Sequence, residues 1–164
     1  MKITTIGIDL AKNVFQIHGV DEQGKTVIMK QLKRDQVAPF FASLPTCLIG
    51  MEACGSAHHW GRKLQAMRHT VRLMAPQYVK PCVKTNKNDV ADAEAICEAV
   101  RRPTMRFVAI KTVDHQSVLA LHRARQAFVK VRTAQANDPR HAGQVRSGVA
   151  IENSPYPPAR TGTD

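Results

Sequence analysis

Two short apolar segments of this chain end in the same way. Ile3 to Asp9 passes through Ile6-Gly7-Ile8 into an aspartate, and Thr46 to Glu52 passes through Leu48-Ile49-Gly50-Met51 into a glutamate. Each carries a glycine two residues before its carboxylate. Thr46 to Met51 shows no polar alternation, the pattern of a central strand covered on both faces. Such a strand needs helices on both sides of the sheet, which points to a layered α/β fold. If the two strands are neighbours, Asp9 and Glu52 stand side by side at one end of the sheet.

The remaining elements fit that architecture. Val14 to Val20 reads as a second strand and Lys25 to Leu32 as a third, joined by Asp21-Glu22-Gln23-Gly24, a turn composition whose glycine tolerates positive φ. Asp35 to Ser43 suits a short helix stopped by Pro45. Ser56 is expected to cap a helix running through Trp60, Leu64 and Met67. Thr70 to Met74 reads as a strand closed by Pro76, and residues 77–85 as a basic helix or loop. Asn88 is placed to cap a helix with Val90, Ala93, Ile96, Cys97 and Val100 at helical spacing, ended by Pro103. The order β-β-β-α-β-α-β-α is that of ribonuclease H, although any mixed sheet with a leading meander shares it.

Charge is distributed unevenly. Residues 1–60 hold six Lys/Arg against five Asp/Glu, whereas residues 61–164 hold eighteen against eight. From Gly61 to Asn88 there are Arg62, Lys63, Arg68, Arg72, Lys80, Lys84 and Lys87 and no acid. Solvated surfaces normally mix both signs, so an acid-free stretch points to a polyanion partner. The expected phosphate contacts are Arg62, Lys63, Arg72, Lys80, Lys84 and Lys87, with Arg123 and Arg125 further on.

The apolar runs are too short to span a membrane, and the N-terminus lacks a signal-peptide pattern. A cytosolic protein is expected. The four cysteines, Cys47, Cys54, Cys82 and Cys97, form no C-x-x-C pair and read as small, partly buried apolar residues. Cys54 with His58 or His59 lacks the second ligand pair that a zinc site usually has.

Asp89 and Asp92, three apart on one predicted helix, face the same way. A helix packed on the sheet can turn both toward Asp9 and Glu52. Individually each acid has a simpler role: Asp9 closing a turn, Glu52 pairing with Arg62, Asp89 favouring a helix start, Asp92 facing solvent. Together, four carboxylates repel one another unless a cation lies between them. Hard oxygen donors without a His/Cys set suit Mg²⁺ or Mn²⁺. Two such ions about 4 Å apart serve phosphodiester chemistry.

Three segments, Gly7-Ile8-Asp9-Leu10-Ala11-Lys12, Gly50-Met51-Glu52-Ala53-Cys54-Gly55 and Lys87-Asn88-Asp89-Val90-Ala91-Asp92-Ala93, come in this order. They resemble the N-terminal domain of DEDD-type insertion-sequence transposases, the insertion-sequence 110 family, over about residues 3–135. The resemblance implies an RNase H-like (RuvC-like) mixed sheet with flanking helices. It implies that Asp9, Glu52, Asp89 and Asp92 bind the divalent ions of a DNA-cleaving and strand-transferring enzyme. It also implies element-end and target DNA and a structured guide RNA as partners, at the nucleoid of a bacterium. His58 and Trp60 fall on the helix after the glutamate, where they look structural.

Members of that family continue through a coiled-coil arm into a domain bearing a nucleophilic serine. Here residues 113–137 read as such a helical arm, a possible homo-oligomer contact, with an ordinary packing helix as the alternative. Residues 138–164, with Pro139, Pro155, Pro157 and Pro158 and no apolar stripe, read as a disordered tail, expected to be out of frame in a truncated product. Residues 1–112 are then the metal-binding domain. Two other readings compete: an inactive nucleic-acid-binding fragment, and a single-domain junction nuclease of RuvC type.

Overall fold

The computed structural model describes residues 2–82 and 89–137. Six strands form one sheet: β1 (Thr5–Leu10), β2 (Val14–Val20), β3 (Thr26–Lys33), β4 (Leu48–Glu52), β5 (Thr70–Met74) and β6 (Phe107–Val108). Their spatial order is β3-β2-β1-β4-β5-β6. The first three strands are an antiparallel meander, β1, β4 and β5 run parallel, and β6 returns antiparallel to β5. The helices are α1 (Val37–Ala42), α2 (Ala57–Ala66), α3 (Pro76–Val79), α4 (Asp89–Val100) and α5 (Val113–Ala136), with a 3₁₀ turn at Lys80–Cys82. This is a mixed α/β sheet with flanking helices, led by a meander as the sequence order predicts.

The meander's second turn is tied down by one side chain. Asp21 Oδ1 accepts the backbone N–H groups of Gln23 and Lys25 at 3.1 and 2.9 Å, while Gly24 takes φ 84°. Only a residue without a β-carbon adopts that angle at no steric cost.

The sheet buries its two faces against different layers. On one face Ile6 and Ile8 of β1, Phe15 and Ile17 of β2, and Ile49 and Met51 of β4 pack with Phe41, Trp60 and Leu64 from α1 and α2. Phe15 and Trp60 meet edge to face at 5.1 Å between ring centroids. Each such fully buried side chain contributes about 1.5–3 kcal/mol of transfer free energy. On the other face Met74 of β5 joins Ile96, Ala99 and Val100 of α4, with Val79 and Cys82.

The glycines set how closely α4 lies. A β-carbon built on Gly7 would fall 2.5 Å from the backbone nitrogen of Cys97 and against the carbonyl of Ala93. One built on Gly50 would fall 2.8 Å from Val100 Cβ. The paired registers Gly7↔Gly50 and Ile8↔Met51 place both glycines on the α4 face. The helix backbone therefore rests almost directly on the sheet.

Several elements differ from their sequence-based bounds. β1 starts at Thr5, not Ile3, and β3 ends at Lys33. Ser56 occupies the N-cap position of α2 with helical dihedrals and without a capping hydrogen bond; its hydroxyl lies 3.4 Å from Cys54 Sγ. Val90 is 40% exposed, because the α4 stripe that meets the sheet is made of Ala93, Ile96, Cys97 and Val100. β6 was not expected; two residues are too few to show alternation. Asn88, Lys84 and Lys87 lie outside the described residues.

The compact unit containing the sheet extends to Gln116, and a second unit begins at Ser117. Within the second, α5 exposes Leu121 and Phe128 at 72% and 75%. Residues 138–164, read from sequence as a tail, lie outside the described residues.

Substituting the glycines tests the close approach. Gly7→Ala collides with backbone and is expected to cost roughly 1–3 kcal/mol or more in urea unfolding. Gly50→Ala, which meets one side chain, should cost less. Gly55→Ala meets nothing within 4 Å and should stay within about 0.5 kcal/mol. Equal losses for Gly7→Ala and Gly55→Ala would remove the packing argument.

Candidate metal centre

The close packing of α4 determines where its acids go. In the parallel pair β1–β4 the last matched residues are Ile8 and Met51. One step further along each strand come Asp9 and Glu52. Side chains alternate between faces along a strand, so both acids share the face of Gly7 and Gly50, the face that α4 covers. Gly7 lies under Ala93 and Cys97, and Gly50 under Val100. The later, C-terminal part of α4 thus covers the strand interiors, and its first turn reaches the strand ends. Asp92 lies on that first turn, and Asp89 opens the same helix.

Electrostatics reports the same convergence. Burial pushes the Glu52 carboxyl above the usual carboxylate range, and the charges of Asp9 and Asp92 push it further up. The Lys80 ammonium draws it partly back. A half-buried glutamate with two like charges as its neighbours is the electrostatic condition that a cation relieves. The donors are all carboxylate oxygens, which suit a hard divalent ion. Among the described residues no three His, Cys, Asp or Glu side chains are drawn together at one point.

The simpler roles considered for single acids do not hold for Asp9 and Glu52. Asp9 lies within β1 opposite Gln16, not in a turn. Arg62 is not paired with Glu52: its guanidinium donates to the carbonyl of Lys111 and, at 2.8 Å, to Gln116 Oε1. Arg62 is half-buried, and both of these bonds use its Nη1. Arg72 is exposed but stacks over Phe107 at 4.6 Å. Lys63 is exposed on α2, Lys80 is exposed beside Glu52, and Arg123 and Arg125 are exposed on α5.

The other polar residues have structural duties. His58 Nδ1 accepts the backbone N–H of Lys111 at 3.2 Å, so it is not held for a metal with Cys54. Buried His69 lies 3.3 Å from the backbone nitrogen of Cys47 and 3.1 Å from the carbonyl of Phe41. Burial lifts the Cys47 and Cys97 thiols to about 11, which keeps both protonated near neutral pH.

Comparison with known proteins follows this geometry. The family model for DEDD transposases of insertion-sequence 110 type, described as "Transposase", matches residues 6–142. A probable family 20 transposase of Pseudomonas aeruginosa is 56% identical over 140 residues, covering 85% of this chain and 41% of that protein. The transposase for insertion sequence element IS1328 of Yersinia enterocolitica is 45% identical over 149 residues, covering 91% and 44%. The chain therefore spans less than half the length of these relatives. Among solved structures, T. thermophilus RuvC in complex with a Holliday junction substrate aligns with TM-score 0.46 and 11% identity, over 66% of this chain and 100% of that one.

The raised Glu52 carboxyl gives a pH prediction. The folded state holds this proton more tightly than the unfolded state, where glutamate titrates near about 4.3. Its favourable contribution is present at low pH and is lost as pH rises from the unfolded toward the higher folded value. Glu52→Gln stays neutral throughout. In chelator, the thermal midpoint of the variant should rise relative to the parent across that window and stay above it at neutral pH. Mn²⁺ should then narrow or reverse the gap by stabilising the parent more. Parallel pH curves for the two proteins would show that the acids do not interact.

Proposed function

Because the chain belongs to the DEDD transposase family of insertion-sequence 110 type, we propose that it forms the metal-binding part of a transposase acting on DNA phosphodiesters. The observation that carries this reading is the placement of Asp9 and Glu52 at neighbouring strand ends, on the face that α4 covers through Gly7 and Gly50. Asp9, Glu52 and Asp92, with Asp89 as the fourth acid, would hold Mg²⁺ or Mn²⁺. When bound, such an ion supplies Lewis acidity for an attacking and a leaving oxygen.

The chain's own groups have definite tasks in this reading. Asp9 and Glu52 are fixed by strand backbone, so their positions are set before any substrate arrives. Asp89 and Asp92 come from a helix held by packing against Gly7 and Gly50. Lys80, exposed next to Glu52, is placed to meet a phosphate that approaches the acids. Lys63 adds to the basic surface of the sheet unit; Lys84 and Lys87 in sequence, and Arg123 and Arg125 on α5, are proposed as further phosphate contacts, with element-end and target DNA as the polyanion. A structured guide RNA and self-association through α5 belong to the same reading. So does the division into a metal-binding domain at residues 1–112 and an arm at 113–137. Among the described residues no helix is long and apolar enough to cross a membrane.

Calorimetric titration with Mn²⁺ tests the centre. Asp9→Ala and Asp89→Ala should each weaken binding on the order of tenfold or more, because ligand charge count sets affinity at such sites. Neither should unfold the domain, and loss of one like charge leaves the metal-free protein as stable or more so. Unchanged affinity in both variants would discard the four-acid assignment. Metal-dependent nicking of element-end DNA, abolished in the same variants, tests the chemistry. DNA binding without nicking would leave a binding module.

A further inference from the structure

A cleft of about 610 Å³ opens at the end of the sheet where the acids lie, on the face opposite them. Asn13 lines it from the β1–β2 turn, Lys33 and Arg34 from the end of β3, and His59, Trp60 and Lys63 from α2. The register explains the placement. Phe15 pairs with Leu10 and packs on Trp60, whereas Asp9 and Gln16 point to the other face. The acids and the cleft therefore flank the same sheet end.

Its cations are positioned by aromatic rings. The Arg34 guanidinium lies 5.9 Å from the centroid of Phe15 and 5.7 Å from that of Trp60, and Lys63 Nζ lies 5.2 Å from the Trp60 ring. Cation–π contacts of this kind hold side chains in place while leaving their N–H groups able to donate. Trp60 is only 4% exposed, and its indole N–H is buried without an acceptor among the described residues. Asp35 also lines the cleft, yet Lys33, Arg34 and Lys63 leave it with net positive charge. Cations held against one ring repel each other, and an anion between them removes that cost.

We propose that this cleft holds the backbone phosphates of a nucleic-acid strand as it crosses the sheet end toward the acids. Arg34 and Lys63 grip a phosphate, Lys33 meets the next one, and Asn13 and His59 offer hydrogen bonds to sugar or phosphate oxygens. The proposal rests on the nucleic-acid reading above and adds to it a path over the α2 face, using Lys33 and Arg34 at the end of β3.

The test uses a labelled single strand of about 20 nucleotides, as DNA and as RNA, with anisotropy read over a salt series. Lys33→Gln with Lys63→Gln leaves Arg34 on its rings and so spares the core. This double variant should bind about tenfold more weakly near 0.1 M salt, with a log–log salt slope shallower by about 1.4, or 0.7 for each lost phosphate contact on a single strand. A control, Lys2→Gln with Lys25→Gln at the opposite sheet end, removes equal charge and should change the slope by clearly less. Trp60 is the chain's single tryptophan, so its emission should change when either strand saturates the unmodified protein. Whichever of the DNA and RNA strands shows the larger slope difference is the one held. Equal slopes in the two double variants, or unchanged Trp60 emission at saturation, would overturn the cleft while leaving nucleic-acid binding intact. No binding by the unmodified protein would overturn both.

Discussion

The contact of α4 with two glycines is the constraint on which the rest of the structure depends. A helix normally stands off a sheet by the length of the side chains between them. Here Gly7 and Gly50 remove those side chains from the two central strands, and the helix backbone descends into the space. What it gains is proximity: the first turn of α4 arrives at the strand ends at the height of Asp9 and Glu52. Had the separation been larger by one side-chain layer, Asp92 would face solvent and Glu52 would have a single acidic neighbour.

This proximity has an electrostatic cost. Glu52 is half-buried and subject to two negative neighbours, and the Lys80 ammonium offsets only part of their effect. The residues that hold the acids are those that cannot relax away from one another: strand ends fixed by the sheet ladder, and a helix fixed by the packing of Ile96, Ala99 and Val100. Stability lost at the sheet end is balanced by apolar burial elsewhere. Such local conflict inside a consistent fold is what a functional site leaves behind.

Much of this was legible in the sequence. The bounds of β2 and β5 follow from β-branched runs closed by Asp21 and by Pro76. The four acids stand out in sequence because strand-end carboxylates and an i, i+3 pair leave a local pattern. The glycines upstream of Asp9 and Glu52 were visible, but their purpose was not, since it lies in atoms of α4 more than forty residues away. The bonds of Arg62 were hidden for a similar reason. Composition made it one of several basic residues, whereas its partners, Lys111 and Gln116, are about fifty positions on. Lys33 and Arg34 lie about thirty positions before Lys63, and only the fold sets the three together. β6 exists only because β5 offers it an edge.

The root of α5 has a different kind of attachment from the core. Arg62 reaches Lys111 and Gln116, Gln116 Nε2 returns to the carbonyl of Gly55 at 3.1 Å, and His58 accepts from Lys111. These bonds are part-buried or exposed, and Ile110, lying over Gly61, is the apolar member of the group. Water competes for such bonds far more readily than for a packed Phe15 or Met51. Residues 110–116 are thus fastened by polar bonds more than by apolar packing, the kind of attachment that yields before a packed core does. That fastening reaches Gly55, three residues after Glu52, so a substitution at Arg62 or Gln116 acts on the loop that follows the end of β4.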